Sequence, residues 1–368
     1  MKVMLLGGGS VGHTRRWANG LAQAGVGVVC VSQHDFLAED WDPRVQRVRL
    51  PGSGIAGYLT QGSRVAQLFR DYGCELLNAH YATGYGVLAT LSGVRPRLIS
   101  VWGSDVYDFP EISWLHRAIV QHVLRATDAV ASTSVAMARR VEQLVGPGKL
   151  RRPVAITPFG VNVERFRPAV PADGRGDGTL VIGTVKTLAR KYGVDTLLDA
   201  FALLCRRADT RALRLRIVGD GPERGVLEAR AAAVGGAVEF VGAITHDEVP
   251  AQLRQLDIYV AVSRLDSESF GVAVIEASAC GLPVVVSDAG GLPEVVEDGV
   301  TGLVVPRDSP SALAEAIARL IGDAGLRRRL GAAGRQRVQQ CYEWTECVNR
   351  MVTLYRSLTQ LVASEIAA

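Results

Sequence analysis

Twelve short runs of β-branched and other apolar residues recur along the chain, separated by longer stretches with helical spacing. Six lie in the first 158 residues: VMLL (3–6), VGVVCV (26–31), ELLNA (75–79), RLISVW (97–102), AVAST (129–133) and VAITP (154–158). Six more follow residue 179: LVIGTV (180–185), LRLRIVG (213–219), VEFVG (238–242), IYVAVS (258–263), PVVVS (283–287) and GLVVP (302–306). Intervening segments such as TLLDAFALLCRR and SALAEAIARLIG place apolar residues on one helical face. Strands joined by helices pair in parallel, because a parallel connection needs a crossover. Two series of six therefore predict an α/β protein of two doubly wound parallel-sheet domains. The Pro-, Gly- and Asp-rich stretch RPAVPADGRGDGT (167–179) sets the boundary, giving domains at 1–166 and 167–345 and a final helical segment at 346–368. In such sheets ligands bind beyond the carboxyl ends of the strands, and the cleft between the domains is the expected place.

Composition narrows the class further. At 368 residues, 48% hydrophobic and 21% charged, the chain reads as a soluble globular protein with more than one core. Its longest apolar runs are strand-sized, too short to span a bilayer. The start, MKVMLLGGGSVG, reads as a first buried strand rather than a secretory signal. Six cysteines without metal-ligand spacing fit a reducing cytosol. Charge is uneven: residues 1–165 hold 18 Lys/Arg against 12 Asp/Glu, and residues 166–368 hold 23 against 25. A basic first half suits a phosphate-bearing or membrane-surface partner, and equally a few solvated arginines. Nucleic acid is disfavoured, because no dense basic run with interleaved aromatics occurs.

Several loops carry chemistry. Gly7, Gly9 and Gly12 form a G-x-G-x-x-G between a strand and a helix, the spacing of a dinucleotide-binding turn. The acidic ribose partner expected at the end of the next strand is missing, since that strand ends VSQH. A loop offering N–H groups to an acceptor or phosphate fits better, with His13, Arg15 and Arg16 following at once. In SESFGVAVIEASACG (267–281), Glu268 and Glu276 stand eight positions apart, with Ser269, Phe270 and Gly271 leading into a helix. The start of that helix suits a diphosphate. Glu276, among Val274, Ile275 and Ala277, needs compensation for burial, from either a ribose diol or an arginine elsewhere. Lys186, Arg190 and Lys191 follow a strand, where cations face a ligand, and Gly219 and Gly221 sit in another Gly-rich loop, GDGPER. No Asp-x-Asp, G-x-S-x-G, P-loop or H-E-x-x-H motif is present.

With these residues in view, the sequence resembles the retaining glycosyltransferases of family 4, which have the GT-B architecture of two Rossmann-like domains facing a cleft. The likeness is nearly continuous through IGTVKTLARKYGVDTLLDAF, IVGDGPER, VEFVGAI and SRLDSESFGVAVIEASACGLPVVVSDAGGLPEVVEDGVTGLVVP. The resemblance implies that Glu268 touches the donor sugar, that Gly271 and its neighbours hold the diphosphate, and that Glu276 binds the ribose. Lys186 and Lys191 take the positions of the phosphate-neutralising pair, and Val241 and Ile244 lie where the base is held. In the first domain, GHTRRWANGLAQAG, NAHYATGYG and ISVWGSDVY resemble bacterial enzymes that build polysaccharides or lipid-linked saccharides. Gly9 is expected near the donor, and Gly12, His13, Arg16 and Trp102 on the acceptor side. Trp102 stands where many members have histidine, which leaves Asp105 and His80 as the polar groups for the chemistry.

The implied activity is metal-independent transfer, with retention, from a nucleoside-diphosphate sugar to an acceptor hydroxyl, with UDP-sugar favoured and GDP-sugar second. No cofactor is implied, because the nucleotide-sugar is a substrate. The acceptor is a glycan, a lipid-linked saccharide or a small soluble molecule. Rival readings are a nucleotide-sugar epimerase of the same architecture and a dinucleotide-dependent oxidoreductase. The segment 113–130, with Trp114, His116, Arg117, His122 and Arg125, fits either an anionic membrane or an ordinary packed helix with a basic outer face. A cytoplasmic place is expected, with a peripheral one at the inner membrane face the variant for a lipid acceptor. The final helix is expected to cross back to the first domain.

Overall fold

The computed structural model describes residues 1–37, 40–52, 54–169, 178–206, 212–234 and 237–367. Contacts group them into two compact units, Met1–Pro158 with Thr345–Ala368, and Phe159–Trp344. Most of the expected boundary stretch, residues 170–177, lies outside the described residues.

The first unit is a seven-stranded parallel sheet: β1 (Lys2–Leu6), β2 (Gly27–Ser32), β3 (Gln46–Arg49), β4 (Leu76–His80), β5 (Arg97–Val101), β6 (Ala129–Ser132) and β7 (Ala155–Ile156). Their order is β3-β2-β1-β4-β5-β6-β7. β4 and β5 are buried along their whole length, which is why their sequences read as near-continuous apolar runs. β3 is the strand that the pattern of apolar runs does not announce. Its residues, QRVR, lie at the sheet edge with three of the four exposed, so no hydrophobic run marks it. The helix Trp344–Ala367 belongs largely to this unit and buries Cys347, Val348, Met351, Val352, Tyr355, Leu358 and Val362, a stripe at helical spacing. It is pinned to β4 where Asn78 Nδ2 donates to Tyr355 Oη at 2.7 Å.

The second unit holds β8 (Leu180–Val185), β9 (Leu213–Val218), β10 (Ala237–Gly242), β11 (Ile258–Ala261), β12 (Val284–Ser287) and β13 (Leu303–Val305). All are parallel, in the order β10-β9-β8-β11-β12-β13. Ile182, Ile217, Ile258, Val260 and Val285 form the centre of its core with Phe201 and Leu197 from the helix Val194–Cys205. In each sheet the chain winds outward from one strand, then returns to that strand's other side. This reversal falls between β1 and β4 in the first unit and between β8 and β11 in the second. Loops leaving the two central strands separate there and open a crevice, the usual ligand position in a doubly wound sheet.

Candidate functional site

In the second unit the loops at this reversal carry the predicted ionic residues. Lys186 follows β8 and Glu268 lies in the loop after β11; Lys186 Nζ donates to Glu268 Oε2 at 2.6 Å. Ser263 Oγ donates to the same oxygen at 3.2 Å. Lys186 also stands 4.4 Å from the ring centroid of Tyr192, and Lys191 stands 5.0 Å from it. Tyr192 thus gathers both lysines over one aromatic ring, an attraction of cation and quadrupole. Its role has no signature in the sequence, because a tyrosine beside two basic residues reads as ordinary loop composition.

Backbone packing fixes these loops. Lys191 sits in the short 3-10 turn Arg190–Tyr192, which ends at Gly193 with φ 65°. A Cβ at Gly193 would fall 2.1 Å from the Val262 carbonyl oxygen, so only glycine allows this approach. The backbone N–H of Arg264 donates to Lys191 O at 2.8 Å and ties the turn to the loop after β11. Gly219 and Gly221 lie backbone to backbone against the lysine loop: their Cβ positions would meet Lys186 O at 2.0 Å and Leu188 O at 2.4 Å. Their immediate task is therefore to seat Lys186. In the same way Gly291 donates to Glu268 O at 3.0 Å and supports the glutamate loop.

The helix Val272–Ala279 begins at Gly271, in the left-handed region with φ 98°, and no side chain caps it. Its first N–H groups are an available anion site. Ser269 and Phe270 are buried, and Phe270 packs edge-on against Tyr342 and Phe159 at 5.5 and 6.1 Å, which makes it part of the wall. Val241 and Ile244 stand half-buried at the end of β10 and in the loop after it. Glu276 is 5% exposed, and Nε2 of His246 lies 2.8 Å from its Oε1. The carboxylate's protein partner is thus a histidine, where the sequence alternatives were a diol and an arginine. His246 escaped sequence reasoning because it lies thirty residues away on an exposed loop.

In the first unit the predicted residues gather at the β1–β4 reversal. The Trp102 ring lies 4.3 Å from His80, 5.0 Å from Tyr81 and 5.9 Å from His13, centroid to centroid. His80 is buried, with Nδ1 3.3 Å from Thr14 Oγ1. Burial, helped by the charge of His13, pushes its imidazole down to about 3, so His80 is neutral near pH 7. Asp105 is also buried. Its Oδ1 accepts from the N–H groups of Trp102 and Gly103 at 3.1 and 3.0 Å, and its Oδ2 from Ala82 at 2.8 Å. Burial raises its pKa while these amides oppose the rise. The geometry makes Asp105 the clamp that holds the Trp102 loop to the end of β4. Gly9 gives its N–H to Ser32 Oγ at 2.8 Å, so that amide is committed within the unit. Gly12 opens the first helix, Gly12–Gln23, in open space, with His13 and Arg16 in its first turns. Tyr85, unflagged by any motif, centres a network with Ser32 Oγ, Gln33 N and His34 Nδ1 at 3.2, 3.1 and 2.8 Å. Among the described residues no cluster of three or more His, Cys, Asp or Glu is placed to hold a metal.

The chain is similar to known proteins in sequence and in fold. Residues 169–337 match the family described as glycosyl transferases group 1, and residues 2–134 match the family described as glycosyl transferase 4-like. The chain is 31% identical to the GDP-mannose-dependent alpha-(1-6)-phosphatidylinositol monomannoside mannosyltransferase of Mycobacterium tuberculosis, over 84% of this chain and 83% of that one. It is 27% identical to the glycogen synthase of the same organism, over 95% and 91% of the two chains. In fold it is similar to the sucrose-phosphate synthase of Thermosynechococcus elongatus, with a TM-score of 0.81, 23% identity, and 99% and 100% of the two chains covered. Anabaena HepE, solved with UDP and glucose, gives 0.79 at 20% identity, over 97% and 100%. The chain belongs to the GT-B glycosyltransferases. Within them its second unit is of the group 1 kind and its first of the 4-like kind.

Proposed function

We propose that this chain moves a sugar from a nucleoside-diphosphate donor to an acceptor hydroxyl with retention at the anomeric carbon. The observation that carries the reading is the meeting of Lys186 and Lys191 over Tyr192, beside Glu268 and the uncapped start of the helix Val272–Ala279. The difficult charge in such a reaction is the one that grows on the departing diphosphate. Fixed cations and oriented N–H groups stabilise it without reorganising during the step. The donor's diphosphate takes Lys186 from Glu268, which leaves that carboxylate to accept hydrogen bonds from the sugar hydroxyls. Glu276 takes the ribose. The acceptor attacks on the face the leaving group departs from, and a leaving phosphate oxygen accepts its proton. Asp105 positions the Trp102 loop, and Trp102 offers its ring to a sugar face on the acceptor side.

The mycobacterial relative's name specifies GDP-mannose, which lifts the GDP-sugars from second candidate to equal standing with the UDP-sugars. That relative's phosphatidylinositol glycoside favours a lipid-linked acceptor met at a membrane surface. Exposed Ile112, Trp114 and Leu115, just ahead of and within the basic-faced helix Trp114–Ala126, suit such a surface. Among the described residues no helix is long and apolar enough to cross a membrane. A thermal-shift screen with UDP-, GDP-, ADP- and TDP-sugars tests the donor assignment. One nucleotide class should raise the melting temperature in a concentration-dependent way, and a flat response to all four contradicts the proposal.

A further inference from the structure

We infer that His246 competes with the donor's ribose for Glu276, so that its imidazole limits access to the ribose half of the donor site. The inference rests on the reading of Glu276 as the ribose-binding carboxylate and adds a residue that regulates it. Glu276 is 5% exposed, and among the described residues the one hydrogen-bond partner of its carboxylate is His246 Nε2, at 2.8 Å on Oε1. A diol reaching that buried carboxylate meets the imidazole first. The ring can yield: its side chain is 52% exposed, against 6% for Glu276. The backbone beneath it is held independently. Arg165 Nη2 donates to His246 O at 2.7 Å and to Asp247 Oδ1 at 2.6 Å, and Glu248 Oε2 accepts from the Thr245 N–H at 2.8 Å. A side-chain rotation therefore frees Glu276 without moving the loop. The Phe166 ring, 5.7 Å away, gives the imidazole an apolar neighbour.

The test is calorimetric titration of UDP and GDP, and of their 2′,3′-dideoxy forms, at pH 7. The dideoxy forms lack the diol, so the ribo-to-dideoxy affinity ratio isolates the contact. His246→Ala should raise this ratio about fivefold, since a larger fraction of the protein is then competent to bind. A ratio unchanged or lowered in His246→Ala overturns the inference. Glu276→Gln separates the two levels: loss of the ratio with no effect of His246→Ala leaves the ribose reading standing and removes only the competition. A wild-type ratio retained in Glu276→Gln removes the ribose reading and the inference together.

Discussion

Single side chains decide what the loops of the proposed donor site can do. Lys186, Lys191, Glu268 and Glu276 could be singled out in the sequence as candidates, by their places in loops after strands and by the family resemblance, with spacing alone leaving Glu276 open. Tyr192 and His246 could not, because their importance lies in what they touch across loops. Replacing Tyr192 with Leu removes the ring that gathers the lysines. Two half-buried cation–π contacts, at roughly 0.5–1 kcal/mol each, correspond to a loss of about five- to thirtyfold in diphosphate affinity. Titration of the nucleoside diphosphate into Tyr192→Leu checks this, and wild-type affinity contradicts it. His80 makes a different prediction. Its imidazole sits at about 3 in the folded protein against an ordinary 6.5, so below 6.5 the unfolded chain takes up a proton that the folded chain refuses. Stability should therefore be level above pH 6.5, fall as pH drops towards 3, and level off below, by as much as about 5 kcal/mol. His80→Gln, compared with the wild type by urea unfolding from pH 7 to 4, should flatten this limb. An equal slope in both proteins contradicts the assignment.

Between elements, the informative features are reversals and straps. Strand-to-helix alternation anticipated twelve of the thirteen strands among the described residues, because most are buried enough to read as apolar runs. The polar edge strand β3 carried no such signal. Glycine-rich loops were legible as loops, yet their reason was not: Gly219 and Gly221 are required by the closeness of two backbones, which no local pattern encodes. The C-terminal helix illustrates the same limit. Its apolar stripe showed that it packs, whereas the bond from Asn78 to Tyr355, across 277 positions of sequence, required the structure. Asn78 is buried and also accepts from Ser100 Oγ at 3.0 Å, so losing the tyrosine hydroxyl strands its amide. Tyr355→Phe should cost about 1–3 kcal/mol, read as a lowered urea midpoint with an unchanged slope. An unchanged midpoint would show that the hydroxyl does not hold the helix.

Across the whole molecule, two sheets repeat one plan, and each places its marked residues where the strand order reverses. In the second unit the plan yields cations, an uncapped helix start and a buried carboxylate. In the first it yields aromatics around Trp102, a neutral His80 and an Asp105 clamped by amides. The charge difference between the halves, visible in the sequence, follows the same division without naming the acceptor. Central to this account is a diphosphate site built on Lys186 and Lys191. The most direct test compares, by calorimetry, the affinity of nucleoside diphosphate with that of the parent nucleoside, in the wild type and in the Lys186→Ala, Lys191→Ala double variant. The wild type should prefer the diphosphate by about a hundredfold or more, and the double variant should lose most of that preference while keeping its nucleoside affinity. A preference equally large in both proteins would contradict the account.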